Sequence, residues 1–374
     1  MKKIFGVIAI LAIIGFLLAA CDDTKPNTGD NRQPDTGEDF EDPKLQRAPR
    51  DWDGVDVNNS FGGRTIDRVW AIATGKNTYV AVGGVIVDGS VVTNIMYAKH
   101  PEMWEKSTGN FQYPIRNVAY GNGRFVAVDL GNFEEGVSNN DNLSNSSSYY
   151  STDGGATWTG PIDTGIKGTI GLTYANGKWV AGGFFGQIVV STDSGASWTK
   201  KPEQLFTQYD NSAIRGITYA EGRWIIVGDQ GRTAYSDDEL ETFTIVDLPG
   251  HGLLESLQNV VYHEEALVAV GNVGRIYYSF DLGETWTLLA NQNHGFGVAD
   301  IYNITYTNGY FVIVGSGGGI EYSNDPIGQY LAFDRIRGPF PFGGQQSVYG
   351  ITYGGGFWIA GGRSGAIAYS NVND

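Results

Sequence analysis

The stretch LQNVVYHEEALVAVGNVGRIYYSFDLGETWTLL, Leu257–Leu289, decides the fold. Within it VVY (260–262) and LVAVG (267–271) are apolar, β-branched runs, and RIYYS (275–279) follows a glycine. Turn residues bound each run, which is the signature of short strands. VGNVG (270–274) reads as a tight hairpin whose glycines supply positive φ. The next turn, SFDLGETW (279–286), has the pattern Ser-x-Asp-x-Gly-x-x-Trp. In such a turn Ser279 and Asp281 accept hydrogen bonds from backbone N–H groups, and Gly283 supplies a left-handed residue. Trp286 then folds back as an apolar cover, and a fourth strand follows. No step of this requires catalysis.

The same sentence recurs from about Val69 to the C-terminus. Two further turns match in full: STDGGATW, with Ser151, Asp153, Gly155 and Trp158, and STDSGASW, with Ser191, Asp193, Gly195 and Trp198. Copies align on Thr74, Tyr120, Tyr174, Tyr219, Tyr262, Tyr306 and Tyr353, at spacings of 43 to 54 residues. That is the period of a four-stranded propeller blade, repeated seven times. Elsewhere the turn decays. SDDELETF (236–243) has Leu240 for Gly and Phe243 for Trp, SNDPIGQY (323–330) has a shifted glycine, and AKHPEMW (98–104) keeps little beyond Trp104. Decay fits turns that stabilise rather than turns that react. The second copy carries an Asn/Ser-rich insertion, 132–150, read as a mobile loop. The last copy stops after three strands. DWDGVDVN (51–58) is the available fourth strand, with Trp52 standing where Trp286 stands.

SFDLGETW resembles the Asp-box, or BNR repeat, of sialidase-like β-propellers. The longer sentence, with VG-x-x-G-x-I-x-x-S before the box, is most similar to the seven-bladed propeller of the photosystem II assembly factor, and also to sortilin-type receptors and xyloglucanases. The resemblance covers 51–374. It implies an all-β, seven-bladed β-propeller closed by an N-terminal strand. It also implies boxes on one face, and between-blade loops with second-to-third-strand hairpins on the other. The repeat is widespread, so it carries no implication of photosynthesis.

The N-terminus reads as a targeting segment, 1–20, with Lys2 and Lys3 before an apolar run. Leu18-Ala19-Ala20-Cys21 resembles the bacterial lipobox, in which the cysteine is diacylated and becomes the mature N-terminus. Cys21 is the single cysteine of the chain. Residues 22–50 are rich in Asp, Pro and Gly and read as a disordered linker. The expected organisation is a lipoprotein signal peptide (1–20), a lipidated cysteine with its linker (21–50) and a propeller (51–374). Acylation would place the protein in the bacterial cell envelope. Asp22 and Asp23 leave open which membrane holds it.

A formal net charge of −16 argues against a nucleic-acid partner. His100, His251, His263 and His294 have no metal-ligand spacing, and nothing points to a cofactor. Candidate binding residues come from the position four before each aligned tyrosine: Trp70, Arg116, Ile170, Arg215, Gln258, Tyr302 and Tyr349. This position varies while neighbouring strand positions stay apolar. The hairpins of the same face add Arg232, Arg275 and Arg363, with Phe184, Phe185, Asp229 and Asn272. Between-blade loops add Phe206, Tyr209, Phe296, Phe340 and Phe342 as exposed-looking aromatics. The favoured function is a non-catalytic binding or assembly scaffold for an envelope protein or glycan, an acidic one given the arginines. The alternative is a glycoside hydrolase using paired carboxylates among Asp129, Glu134, Glu135, Asp229, Glu255 and Asp300. Against it, the Arg-Ile-Pro motif of sialidases is missing, Arg335-Ile336-Arg337 does not match it, and sialidases have six blades.

Overall fold

Leu257–Leu289 folds as four antiparallel strands, Leu257–His263, Ala266–Gly271, Ile276–Ser279 and Thr287–Leu288, hydrogen-bonded in chain order. The second strand is buried along its whole length. Strands one and three flank it and neighbouring blades cover both its faces, so its sequence is a continuous apolar run rather than an alternation. In this computed structural model the described residues are 52–55, 68–87, 90–133, 143–202, 204–206, 212–250, 252, 255–289, 294–324, 333–335 and 346–372. The segment 1–20, Cys21, the linker 22–50, Glu134, Glu135, Tyr209, His251, Phe340 and Phe342 lie outside them.

Six other sheets repeat the pattern, each with four strands. In chain order the blades span 69–106, 115–167, 171–200, 214–247, 257–288, 301–335 and 348–371. The seventh takes its outer strand from Asp53–Val55, which pairs with Ile367–Asn371 through Asp53↔Tyr369, Gly54↔Ala368 and Val55↔Ile367. The chain is therefore all-β, a seven-bladed propeller closed by an N-terminal strand, as the missing strand after Ser370 requires.

The core is shared between blades. Leu267, Tyr277 and Trp286 of blade 5 pack on Ile225 and Val227 of blade 4. Val69 and Tyr79 of blade 1 pack with Ile359 and Ile367 of blade 7. Every blade has an aromatic at the start of its fourth strand, set against the preceding blade: Trp104, Trp158, Trp198, Phe243, Trp286, Phe333 and, in the closing blade, Trp52. In blade 6 this residue is Phe333, three positions beyond the end of the box as read from sequence.

Two expectations are corrected. In VGNVG the left-handed residues are Val273 (φ 58) and Gly274 (φ 66). Gly271 is extended, and its lack of a side chain answers to space, since a Cβ there would lie 2.3 Å from the Ser256 carbonyl oxygen. Phe206 and Phe296 are 1% and 7% exposed rather than displayed. Their loops double back and set each ring against glycines of the adjoining hairpin, Gly228 for Phe206 and Gly315 and Gly319 for Phe296.

The contacts separate two faces. On one, second-to-third-strand hairpins bond to the between-blade loops, as in Asn272 N–H to Ser256 O and Ser316 N–H to Asp300 O, both 2.9 Å. On the other, first-to-second-strand turns meet the box of the next blade, as in Lys76 Nζ to Thr152 O (3.2 Å) and Asn122 Nδ2 to Ser194 Oγ (3.1 Å).

Candidate functional site at the channel mouth

The boxes are closed hydrogen-bond circuits. In blade 5 the Ser279 hydroxyl donates to Asp281 Oδ1 (2.8 Å) and accepts from Gly283 N–H (2.8 Å), while Thr285 donates to Asp281 from its N–H (2.8 Å) and its hydroxyl (2.6 Å). Blades 2 and 3 repeat this with Ser151, Asp153 and Thr157, and with Ser191, Asp193 and Ser197. SDDELETF, decayed in sequence, makes the same circuit: Ser236 Oγ bonds Asp238 (2.9 Å) and accepts from Leu240 N–H (2.9 Å), and Thr242 Oγ1 bonds Asp238 (2.6 Å). Leu240 takes φ 68 in place of glycine and is fully buried. The hydroxyl two residues after the glycine position closes all four circuits, and the Ser-x-Asp-x-Gly-x-x-Trp pattern passes over it. Hydrogen bonds from Thr242, led by its hydroxyl, lower Asp238 to about 2. In Asp153, Asp193 and Asp281 burial pushes upward, but the hydrogen bonds outweigh it and hold each carboxyl below the usual range.

The seven variable positions converge. Six first strands shift register at the same place, between Val69/Ala71, Ile115/Asn117, Ile214/Gly216, Leu257/Asn259, Ile301/Asn303 and Val348/Gly350. The residues left unpaired are Trp70, Arg116, Arg215, Gln258, Tyr302 and Tyr349. Such a bulge re-aims the side chain. Together with Ile170 they line one cavity of about 1010 Å³ at the centre of the ring. In three blades the next residue is asparagine, which stitches neighbouring first strands around the cavity: Asn117 Nδ2 to Ile170 O (2.8 Å), Asn259 Nδ2 to Asn303 Oδ1 (2.7 Å) and Asn303 Nδ2 to Tyr349 O (3.3 Å).

Around the mouth the chemistry falls into sectors. Tyr302, Tyr349 and Trp70 form an arc with ring centroids 5.0 and 4.9 Å apart. The guanidinium of Arg116 lies 4.2 Å over the Trp70 ring, and that of Arg68 lies 4.7 Å over it. Arg68 is a lining residue that sequence reasoning missed, because it stands two residues before the variable position, where the other blades carry Pro114, Gly168, Ala213, Ser256, Asp300 and Ser347 and no second cation. Arg215 is ion-paired with Asp229 and donates to Gln258 Oε1 (3.2 Å). The remaining predicted arginines stand outside the cavity lining. Arg275 forks onto Glu255 (2.9 and 3.0 Å) and is held more firmly protonated by it. Arg232 pairs in register with Asp247, and Arg363 sits exposed on the blade 7 hairpin. The expected field of five cations is thus reduced, since carboxylates neutralise Arg215 and Arg275.

Of the carboxylates named for glycoside chemistry, the four that are described are engaged in structure. Asp229 and Glu255 hold those arginines, and Asp300 accepts from Val273 N–H (3.0 Å). Asp129 is fully buried. It accepts from Gly131 N–H (2.9 Å), Ser147 N–H (2.7 Å) and Tyr149 Oη (3.0 Å), clamping both ends of the blade 2 insertion. Burial, against these bonds, pushes its carboxyl up to about 6. Among the described residues no group of His, Cys, Asp and Glu is arranged to hold a metal ion.

Comparison with known proteins agrees with this geometry. The family model for the BNR/Asp-box repeat matches residues 149–159 and 277–288. The sequence matches no curated protein. Among solved structures, one described as "YCF48 bound to D1 peptide" superposes with TM-score 0.60 at 16% identity, covering 87% of this chain and 96% of that one. YCF48 from Cyanidioschyzon merolae gives 0.59 at 14%, covering 87% and 100%. The WD40 propeller domain of Doa1 gives 0.55 at 12%, covering 81% and 92%. At such identities the likeness is one of fold. The repeats, the ring of seven sheets and these neighbours together identify the chain as a seven-bladed β-propeller built on BNR/Asp-box repeats.

Proposed function

We propose that the chain is a non-catalytic binding scaffold of the bacterial cell envelope, held at a membrane by a lipid on Cys21, whose channel mouth takes an acidic segment of a partner protein. The observation that carries this is the convergence of the bulged side chains. Arg116 joins Arg68 and the Trp70–Tyr349–Tyr302 arc at one cavity of a chain with net charge −16. Cations gathered at a concave site focus anionic groups there. Guanidinium forks match carboxylates, and the rings add stacking surface. A peptide-bound propeller of the same fold, YCF48, supports a protein segment as the occupant. The repeated boxes support the same reading, since their carboxylates are spent within their own turns.

The test is affinity capture from native envelope with the immobilised propeller. Arg116→Glu is expected to reduce the retained partner at least about tenfold while the melting curve stays put, which corresponds to roughly 1.4 kcal/mol of binding. Paired reversal of Lys76 and Arg124 on the box face is expected to change little. Loss with the second variant and not the first would place binding on the wrong face. Turnover of any member of a fluorogenic glycoside panel by the wild type would replace the scaffold reading with an enzyme.

A further inference from the structure

Blade 3 gives the mouth a different chemistry from the other blades. At the variable first-strand position it places Ile170, where the others place aromatic, cationic or amide side chains. At the head of its second hairpin it places Phe184, where blades 4, 5, 6 and 7 place Asp229, Asn272, Ser316 and Arg363. The Phe184 ring meets Phe133 of blade 2 edge to face, with centroids 5.3 Å apart at 63°. Both rings are half-buried and both line the central cavity, as does Leu130. The seat of Phe184 depends on Gly168, which has φ +59 and where a Cβ would fall 2.0 Å from the ring. Arg116 lines the same cavity and comes from the same blade as Phe133. An apolar sector therefore stands in one cavity with a cationic one.

We propose that Phe133, Phe184, Leu130 and Ile170 form a specificity pocket for one apolar side chain of the acidic segment, adjacent in sequence to the carboxylate that Arg116 receives. The inference rests on the acidic-segment reading above and adds to it what the segment must carry besides charge. Charge complementarity brings the segment to the mouth, and burial of an aliphatic side chain on the two rings selects it. A segment that is acidic and otherwise polar would leave the apolar sector uncovered and bind weakly.

Fluorescence anisotropy with two labelled peptides tests this. They are Gly-Ser-flanked and identical except for a leucine or a serine beside a Glu-Glu pair. Wild type is expected to bind the leucine peptide about tenfold more tightly. Phe184→Ala is expected to erase that preference and leave the serine peptide unchanged. Phe133→Ala, which removes the ring packed against Phe184, is expected to narrow it. Equal binding of both peptides by wild type overturns the pocket alone, as does a preference that survives both variants. Equal loss of both peptides in Phe184→Ala assigns that ring to general structure and overturns it too. Failure of both peptides to bind wild type overturns the pocket together with the acidic-segment reading.

Discussion

Asp129 ties a single carboxyl to the stability of a blade. Burial raises it to about 6 against an ordinary value of 3.8. In the folded chain it therefore holds a proton that the unfolded chain has released between those values. Its contribution to stability is complete below about pH 4 and is lost as pH rises through about 6, some 3 kcal/mol at about 1.4 kcal/mol per unit. Asp129→Asn keeps an oxygen for Gly131 and Ser147 and offers Tyr149 a donor, so urea unfolding should be flat for the variant over that interval and should fall for wild type. A wild-type curve without that fall would show the clamp to be ionised throughout. The box aspartates act in the opposite sense: their carboxyls are lowered, so their contribution is present above the ordinary carboxylate range and fades as pH drops below it, towards about 2 in the case of Asp238. Trp286, 6% exposed between blades 4 and 5, is the complementary apolar case. Trp286→Ala should cost roughly 3–5 kcal/mol in chemical denaturation and leave capture by the folded fraction intact.

Among elements, the closing strand carries the clearest expectation. Asp53–Val55 is three residues long, yet it supplies the outer edge of blade 7 and brings Trp52 onto blade 6. Deleting 51–60 should broaden and lower the thermal transition, whereas deleting 22–48 should not, and identical melts would remove the strand from any role in closure. This strand was legible in the sequence because the repeat counts one strand short at Ser370 and a matching fragment precedes the first copy. The mouth positions were legible for a related reason, as a repeat that varies at one site among uniform neighbours marks a bulge facing open space. Their charge state was less so. Asp229 cancels Arg215 only because a hairpin folds back on a first strand, and such tertiary pairings leave no periodic trace. The loop aromatics were misjudged for the same cause. Phe206 and Phe296 sit among polar residues in sequence, while the glycines that receive them belong to other segments.

For the molecule as a whole, the proposed lipid at Cys21 predicts that an alkynyl fatty acid supplied to cells will label the wild type and not Cys21→Ser. Equal labelling of the variant would assign the attachment elsewhere. The direction in which the chain joins the ring then has a mechanical meaning. Val55 pairs with Ile367, which follows the blade 7 hairpin, and Asp53 pairs with Tyr369 near the far end of that strand. Followed towards its N-terminus, the closing strand therefore runs to the side of the boxes, opposite the arginines. Tension between an anchored N-terminus and a captured partner would run along the axis of the closing strand, loading its hydrogen bonds together in shear rather than peeling them one at a time. These three residue pairs are the ones that close the ring and would be its fuse, and the first thing a strong pull exposes would be the edge of Ile367–Asn371.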